Sequence, residues 1–142
     1  MKVMKFGGSS IGSAQNILNV KNIIAAEKGA LVVVISAFGG ITDKLLETSR
    51  LSANGSIDYA ALFAEITDTH ITIIRELRLE KAKEEELFMK INVLIDELSN
   101  IFKGVYLIND LSLRTADKIA SYGERMSTLI VSYVLDNFDS LD

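Results

Sequence analysis

Residues 30–36, ALVVVIS, constrain the fold more than any other stretch of this chain. A run of aliphatic, mostly β-branched residues with no polar alternation predicts a strand covered on both faces. That is the pattern of a central strand in a parallel sheet. Parallel neighbours need a crossover of a dozen residues or more, and the preceding sequence supplies one. Residues 1–6, MKVMKF, read as a short strand that Gly7 and Gly8 end. Ser10 or Ser13 then caps a helix whose face carries Ala14, Ile17, Leu18, Lys21, Ile24 and Ala25, and Gly29 stops it. Strand, glycine turn, helix and strand make a βαβ unit with a right-handed crossover.

The remainder reads as helical. A second glycine turn, AFGG at residues 37–40, follows the second strand. Thr42 or Asp43 opens the next helix, which runs to about Gly55. Residues 58–77 place Tyr59, Leu62, Phe63, Ile66, His70, Ile73, Ile74 and Leu77 at helical spacing. Residues 84–102 do the same with Leu87, Ile91, Leu94, Ile95, Leu98 and Phe102. These two segments predict an antiparallel helical hairpin at about 58–103, with a charged turn at residues 79–86 and a break at Gly104. A last helix spans about 112–134, and a third strand is expected to begin near residues 137–138. The chain has no proline, where average usage predicts about seven. Proline breaks helix interiors, so its absence fits a helix-rich α/β chain.

Composition narrows the function. With 142 residues, 49% apolar and 24% charged, the chain suits one globular domain or part of a larger one. A net charge of −4 argues against a nucleic-acid partner, which needs a basic face. The absence of cysteine removes disulfides, thiolate nucleophiles and the usual zinc sites. No apolar run is long enough to span a membrane, and the start lacks the apolar core of a signal peptide. A cytoplasmic protein is expected.

Three segments carry chemistry. KFGGSS, residues 5–10, ends the first strand, where open α/β sheets bind ligands. Glycine lets backbone N–H groups approach a phosphate, the following helix points its positive end there, and Lys5, Ser9 and Ser10 add charge and hydroxyls. The order is not the Walker pattern, which places lysine after the glycines. A plain turn with Lys5 in solvent accounts for this hexapeptide equally well. SAFGGITD, residues 36–43, is a second such turn; alone, a tight turn with Thr42 as helix cap explains it. SYGERMS, residues 121–127, puts Gly123 inside a helix at a cost of about 1 kcal/mol relative to alanine. Something must pack closely there. Beside it Glu124 is expected to be half-buried and in need of a partner. Taken alone, a helix–helix contact with a boundary glutamate is the commoner reading.

Together and in this order, KFGGSS, SAFGGITD and LRTADKIASYGERMS resemble the aspartokinases of the amino-acid kinase family. The likeness covers the whole chain, and the long hairpin looks most like that of fused aspartokinase–homoserine dehydrogenases. It implies the amino-terminal, amino-acid-binding part (residues 1–142) of a carbamate kinase-like fold, with the nucleotide-binding half outside this stretch. It also implies transfer of the γ-phosphoryl group of ATP, carrying Mg2+, to the side-chain carboxylate of L-aspartate, opening lysine, threonine and methionine biosynthesis. By resemblance Lys5 stabilises the phosphates. Gly7, Gly8 and Ser9 line the phosphate path, Ser36 lies beside it, Thr42 holds aspartate, and Glu124 pairs with its ammonium group. The family usually has threonine where Ser9 stands; the hydroxyl is kept. A fragment of this kind is expected to be inactive alone and to self-associate. Rival readings are a kinase of the same family acting on glutamate, acetylglutamate, carbamate or a nucleotide, and a non-enzymatic helical interaction module. His70 is expected to be a hydrogen-bonded core residue without a catalytic role. Met4, Met89 and Met126 read as packing residues.

Overall fold

The computed structural model describes residues 1–135 and 138–139. Strands β1 (Lys2–Phe6) and β2 (Leu31–Ile35) pair in parallel, Lys2 opposite Leu31 and Phe6 opposite Ile35. Helix α1 (Ala14–Ala25) connects them, as the βαβ pattern predicts. Ser13 is its cap: the hydroxyl oxygen accepts the Asn16 N–H at 3.1 Å. Ser10 belongs instead to a 3-10 turn, Gly8–Ile11, and its N–H donates to the Gly7 carbonyl. Gly29 is not the helix stop. It lies in the bend that enters β2 with φ at +92°, a left-handed conformation that glycine adopts without steric cost.

The expectation that residues 30–36 are buried on both faces is not met. Side chains alternate along the strands, so Met4, Phe6, Leu31, Val33 and Ile35 face the helices and are at least partly buried. Val3, Val32 and Val34, on the other face, are 61%, 43% and 42% exposed. The described helices cover one side only. Of the further strand expected from residues 137–138 onward, only Phe138 and Asp139 are among the described residues, and neither is in a strand.

Helix α2 (Ile41–Ala53) is central, touching α3 (Tyr59–Glu76), α4 (Lys81–Ile108) and α5 (Leu113–Val134). Its buried positions include the small polar residues Thr48, Ser49 and Ser52. Thr48 and Ser49 turn their hydroxyls back onto the Lys44 and Leu46 carbonyls at 2.6 and 2.7 Å, which satisfies them without a tertiary partner. Around this helix Ile41, Leu45, Ile66, Ile74, Leu87, Leu98, Phe102 and Ile119 are fully buried. Each such side chain contributes about 1.5–3 kcal/mol of burial free energy.

The hairpin is present and longer than expected. Tyr59 and Phe63, early in α3, stack on Phe102 and Tyr106, late in α4, with centroid separations of 5.3 to 6.4 Å. That contact fixes the antiparallel sense. The turn is confined to Leu77–Glu80, with Arg78 at a φ of +50°, and the charged residues from Lys81 onward already belong to α4. Gly104 does not break α4, which continues to Ile108 and ends at Asn109 with φ at +52°. Gly104 stands exposed between buried Phe102 and Val105, so the packing of its neighbours outweighs its propensity cost of about 1 kcal/mol.

His70 is a core residue, as expected. It is 0% exposed, and its Nδ1–H donates to the Ile66 carbonyl at 2.7 Å. Nε2 is buried without a hydrogen-bond partner among the described residues, and the ring packs on Phe38 at 5.2 Å. Burial pushes the imidazole below its ordinary value of 6.5, the bond to Ile66 opposing this more weakly. The folded state thus keeps His70 neutral where the unfolded chain binds a proton. Stability is expected to be flat above pH 7 and to fall as pH drops through 6.5 towards the lowered folded value. Urea denaturation at pH 7.5 and 5.0 checks this, with a His70→Gln variant losing that component; an identical pH dependence in the variant would remove His70 from the effect.

Candidate active site

Parallel pairing puts the turns after β1 and β2 at one edge of the sheet, the carboxyl edge where α/β folds bind ligands. The Ser36 N–H donates to the Phe6 carbonyl at 3.1 Å and carries the ladder into the second turn. The two turns then touch through backbone. A Cβ at Gly8 would stand 2.7 Å from the Ala37 carbonyl oxygen and 3.1 Å from the Gly39 nitrogen. Helix α5 closes on the same loop. A Cβ at Gly123 would stand 2.8 Å from that of Ala37 and 3.3 Å from Leu45 Cδ1. Four residues on, the buried Ser127 hydroxyl donates to the Ser36 carbonyl at 2.7 Å. The three sequence segments therefore converge, and Gly8 and Gly123 are the points of close approach.

The helix facing this loop is α2. Its cap is Gly40, at a φ of +79°, and neither Thr42 nor Asp43 serves as the cap expected from the sequence. The Ile41 N–H is taken by the Phe38 carbonyl and the Lys44 N–H by the Gly40 carbonyl. Thr42 and Asp43, in the first turn, have backbone N–H groups with no earlier turn of helix to accept them, and no side chain caps them. The positive end of α2, directly after Gly39 and Gly40, thus borders Gly8. The start of α1 lies further on, behind the 3-10 turn, and is already capped by Ser13.

The candidate residues occupy this edge unequally. Gly7 and Ser9 are exposed, Gly8 and Ser36 half-buried. The Ser9 carbonyl accepts from Asn16 Nδ2 at 3.2 Å, which steadies the first turn. Lys5 is exposed on the open face of the sheet, opposite Val34 in register. Thr42 is half-buried and follows Ile41, one of the side chains against Gly123. Glu124 is exposed, not half-buried. Gly123 takes the packed position, and the 100° step of a helix turns the next residue to the flank. Thr42 and Glu124 are each next in sequence to one side of the same contact.

Met126 is buried beside Gly123 as the packing residue it was expected to be, and so is Tyr122, which sequence periodicity missed. The Tyr122 hydroxyl donates to Glu97 Oε2 at 2.9 Å under the guanidinium of Arg125, 4.7 Å from the ring centroid. Burial first, and the Glu97 bond second, push the Tyr122 hydroxyl above its ordinary value. This group ties α5 to α4 on the side away from the glycine loops. A cleft of about 690 Å³ bounded by Lys21, Glu27, Gly29 and Leu31 opens at the start of β2, the opposite end of the sheet.

The family model described as "Amino acid kinase family" matches residues 1–140. Aspartokinase from Chlamydia trachomatis is 36% identical over 132 residues, covering 92% of this chain and 27% of that protein. Aspartokinase 2, chloroplastic, from Arabidopsis thaliana is 34% identical over 138 residues, 94% of this chain and 24% of that protein. A bifunctional aspartokinase/homoserine dehydrogenase from the same plant is 26% identical over 137 residues. The chain thus spans about a quarter of the length of the curated relatives Aspartokinase 1 and 2, at 23% and 24%. The fold superimposes on E. coli aspartokinase III in complex with aspartate and ADP with a TM-score of 0.81 at 24% identity, over 94% of this chain and 28% of that one. Clostridium acetobutylicum aspartate kinase superimposes with a TM-score of 0.72 at 25% identity, over 93% and 28%. With paired glycine turns closed by a glycine-bearing helix, and a family model matched over nearly its whole length, the chain belongs to the amino acid kinase family.

Proposed function

We propose that residues 1–142 form the amino-terminal, amino-acid-binding part of an aspartokinase. The observation that carries this reading is the backbone contact of Gly8 with residues 37–39, closed by Gly123. It joins the two turns and the N-terminus of α2 into one shelf at the sheet edge, to which this reading assigns Lys5, Thr42 and Glu124. The aspartokinase names of relatives at 34% and 36% identity support the choice of substrate. A side chain at Gly8 would strike the facing turn, so glycine there lets the two turns meet, and the N-terminus of α2 that follows them suits an anion such as phosphate.

In this reading an oxygen of the aspartate β-carboxylate attacks the γ-phosphorus of ATP, the bond to the β–γ bridging oxygen breaks, and ADP leaves. The nucleophile is an anion at neutral pH, so no general base takes a proton. The protein's task is to hold two anions in line and to spread positive potential over the transferring group. Lys5 supplies charge. Gly7, Gly8, Ser9 and Ser36 line the phosphate path, Thr42 holds aspartate, and Glu124 pairs with its ammonium. An exposed Glu124 is open to such a ligand. Among the described residues no group of three or more His, Cys, Asp or Glu could hold a metal, and Mg2+ in this reading arrives on the ATP phosphates. Among the same residues no helix is long and apolar enough to cross a membrane. Cytoplasmic location and self-association belong to the same proposal, the latter supported by the bare valines of the open sheet face.

The test is trapping of acyl phosphate by hydroxylamine with the full-length protein, ATP and Mg2+. Aspartate is expected to give hydroxamate, with glutamate, acetylglutamate and carbamate at background. Nucleoside monophosphates, whose phosphorylated product yields no hydroxamate, are followed by ADP release and are expected to stay at background too. The 142-residue chain alone is expected to give none. Turnover of another acceptor in preference to aspartate would assign the protein elsewhere in the family. No melting shift with aspartate or ATP, combined with concentration-dependent melting, would favour an interaction module.

A further inference from the structure

Ser127 is fully buried on α5, ninety-one residues from its partner. Its hydroxyl lies 2.7 Å from the Ser36 carbonyl and 3.1 Å from the Glu124 carbonyl. A serine in a helix ordinarily satisfies itself on its own preceding turn, as Ser121 and Ser132 do on Lys118 and Leu129. Ser127 has that option and makes the shorter bond across the interface. The Ser36 carbonyl follows directly on the end of β2, at the start of the loop, and Glu124 lies one helical turn before Ser127. One hydroxyl therefore spans the two segments to which the kinase reading gives phosphate and ammonium. Gly123 brings the helix close enough for the bond to form, since its missing side chain admits Ala37.

We propose that Ser127 is a positioning residue for phosphoryl transfer, its hydroxyl locking the end of β2 and the 36–40 loop to the turn of α5 that bears Glu124. It touches no substrate and acts through Ser36. The proposal rests on the kinase reading for its effect on turnover, but not for its effect on the loop. Removing the hydroxyl leaves a half-buried carbonyl unpaired and lets the loop and the helix shift against each other.

The test uses the full-length protein with Ser127→Ala, Ser127→Cys and Ser52→Ala. Ser52 is an equally buried serine on α2, with no hydrogen-bond partner for its hydroxyl, and serves as a control for plain core perturbation. Wild-type turnover of aspartate is measured first. In Ser127→Ala, kcat/KM for aspartate is expected to fall about tenfold or more, mainly through KM, and amide exchange at residues 37–41 to quicken about tenfold. Ser127→Cys, which keeps the shape and a weak donor, is expected to fall between wild type and alanine. Ser52→Ala is expected to leave both readouts near wild type at a comparable melting temperature. Unchanged loop exchange in Ser127→Ala, or a loss of turnover matched by Ser52→Ala, overturns the proposal. If wild type does not turn over aspartate, the functional reading fails, and the loop-exchange arm still decides the role of Ser127. If the alanine variant does not fold, the cysteine variant decides by the same two readouts.

Discussion

Replacing Lys5 with alanine in the full-length protein is expected to lower kcat for aspartyl phosphate formation by about 10²–10³, the cost of removing one preorganised charge-stabilising donor. The fold should be untouched. Lys5 is exposed, it occupies the open face of β1 opposite Val34, and its ammonium makes no ion pair among the described residues. Its truncation therefore removes neither a buried contact nor a partner that another charge needs. This separates it from most residues near the sheet edge, where loss of activity and loss of packing are confounded. The melting temperature is expected to stay within a degree or so of wild type, as for other exposed substitutions away from packed features. Lys5→Arg is expected to recover part of the rate. Arginine keeps the charge but carries it on a longer, planar fork, so its donors do not fall where the ammonium stood. Wild-type kcat in Lys5→Ala, measured by hydroxamate formation at saturating aspartate and ATP, would take Lys5 out of the mechanism.

The sequence disclosed the frame of the molecule through periodicity and through glycine. Helix faces in α3, α4 and α5 were legible because apolar residues recur at 3.6-residue spacing, and the βαβ order followed from two short strands around an amphipathic segment. Gly123, inside a helix, was legible as a point of close packing; for the turn glycines, which acts through conformation and which through closeness could not be read. Gly29 and Gly40 take left-handed backbone angles, whereas Gly8 and Gly123 are places where another chain segment arrives. Gly104 is neither, and so it broke nothing. The burial of β2 was misread for a related reason. ALVVVIS is written for two covered faces, and the described residues cover one. Composition reports what a strand is adapted to, not what a given stretch of chain supplies. At the site, the motif residues were found by their types, but Glu124 was expected to be half-buried because it borders the apolar helix face, flanked by Ala120, Ser127 and Thr128. One helical step separates packed from exposed, and periodicity is least informative at that boundary. The Ser127 bond had a faint signal, a hydroxyl on an apolar helix face, but its partner was ninety-one residues away.

The second large effect is expected at Gly8. Alanine there would place a methyl 2.7 Å from the Ala37 carbonyl oxygen and 3.1 Å from the Gly39 nitrogen, both backbone atoms of the facing turn. A side chain in the way could rotate, but backbone held by a strand on one side and a helix on the other cannot. Ser36 is tied to Phe6 and to Ser127, and the Phe38 carbonyl is tied to Ile41. The two turns must therefore move apart, and overpacking of this kind costs about 1–3 kcal/mol. The larger consequence is for geometry. A displacement of about 1 Å between the parts of a site lowers turnover about 10²-fold, and here it would separate the turn carrying Ser9 from the start of α2. Gly7→Ala is the internal comparison for stability. A methyl there meets nothing within 4 Å, and the backbone is already extended at φ −76° and ψ 168°, so the melting temperature should hold. If Gly8→Ala in the full-length protein melted and turned over like wild type, the two glycine turns could not be in backbone contact. The shelf on which the kinase reading rests would then not exist in the form described.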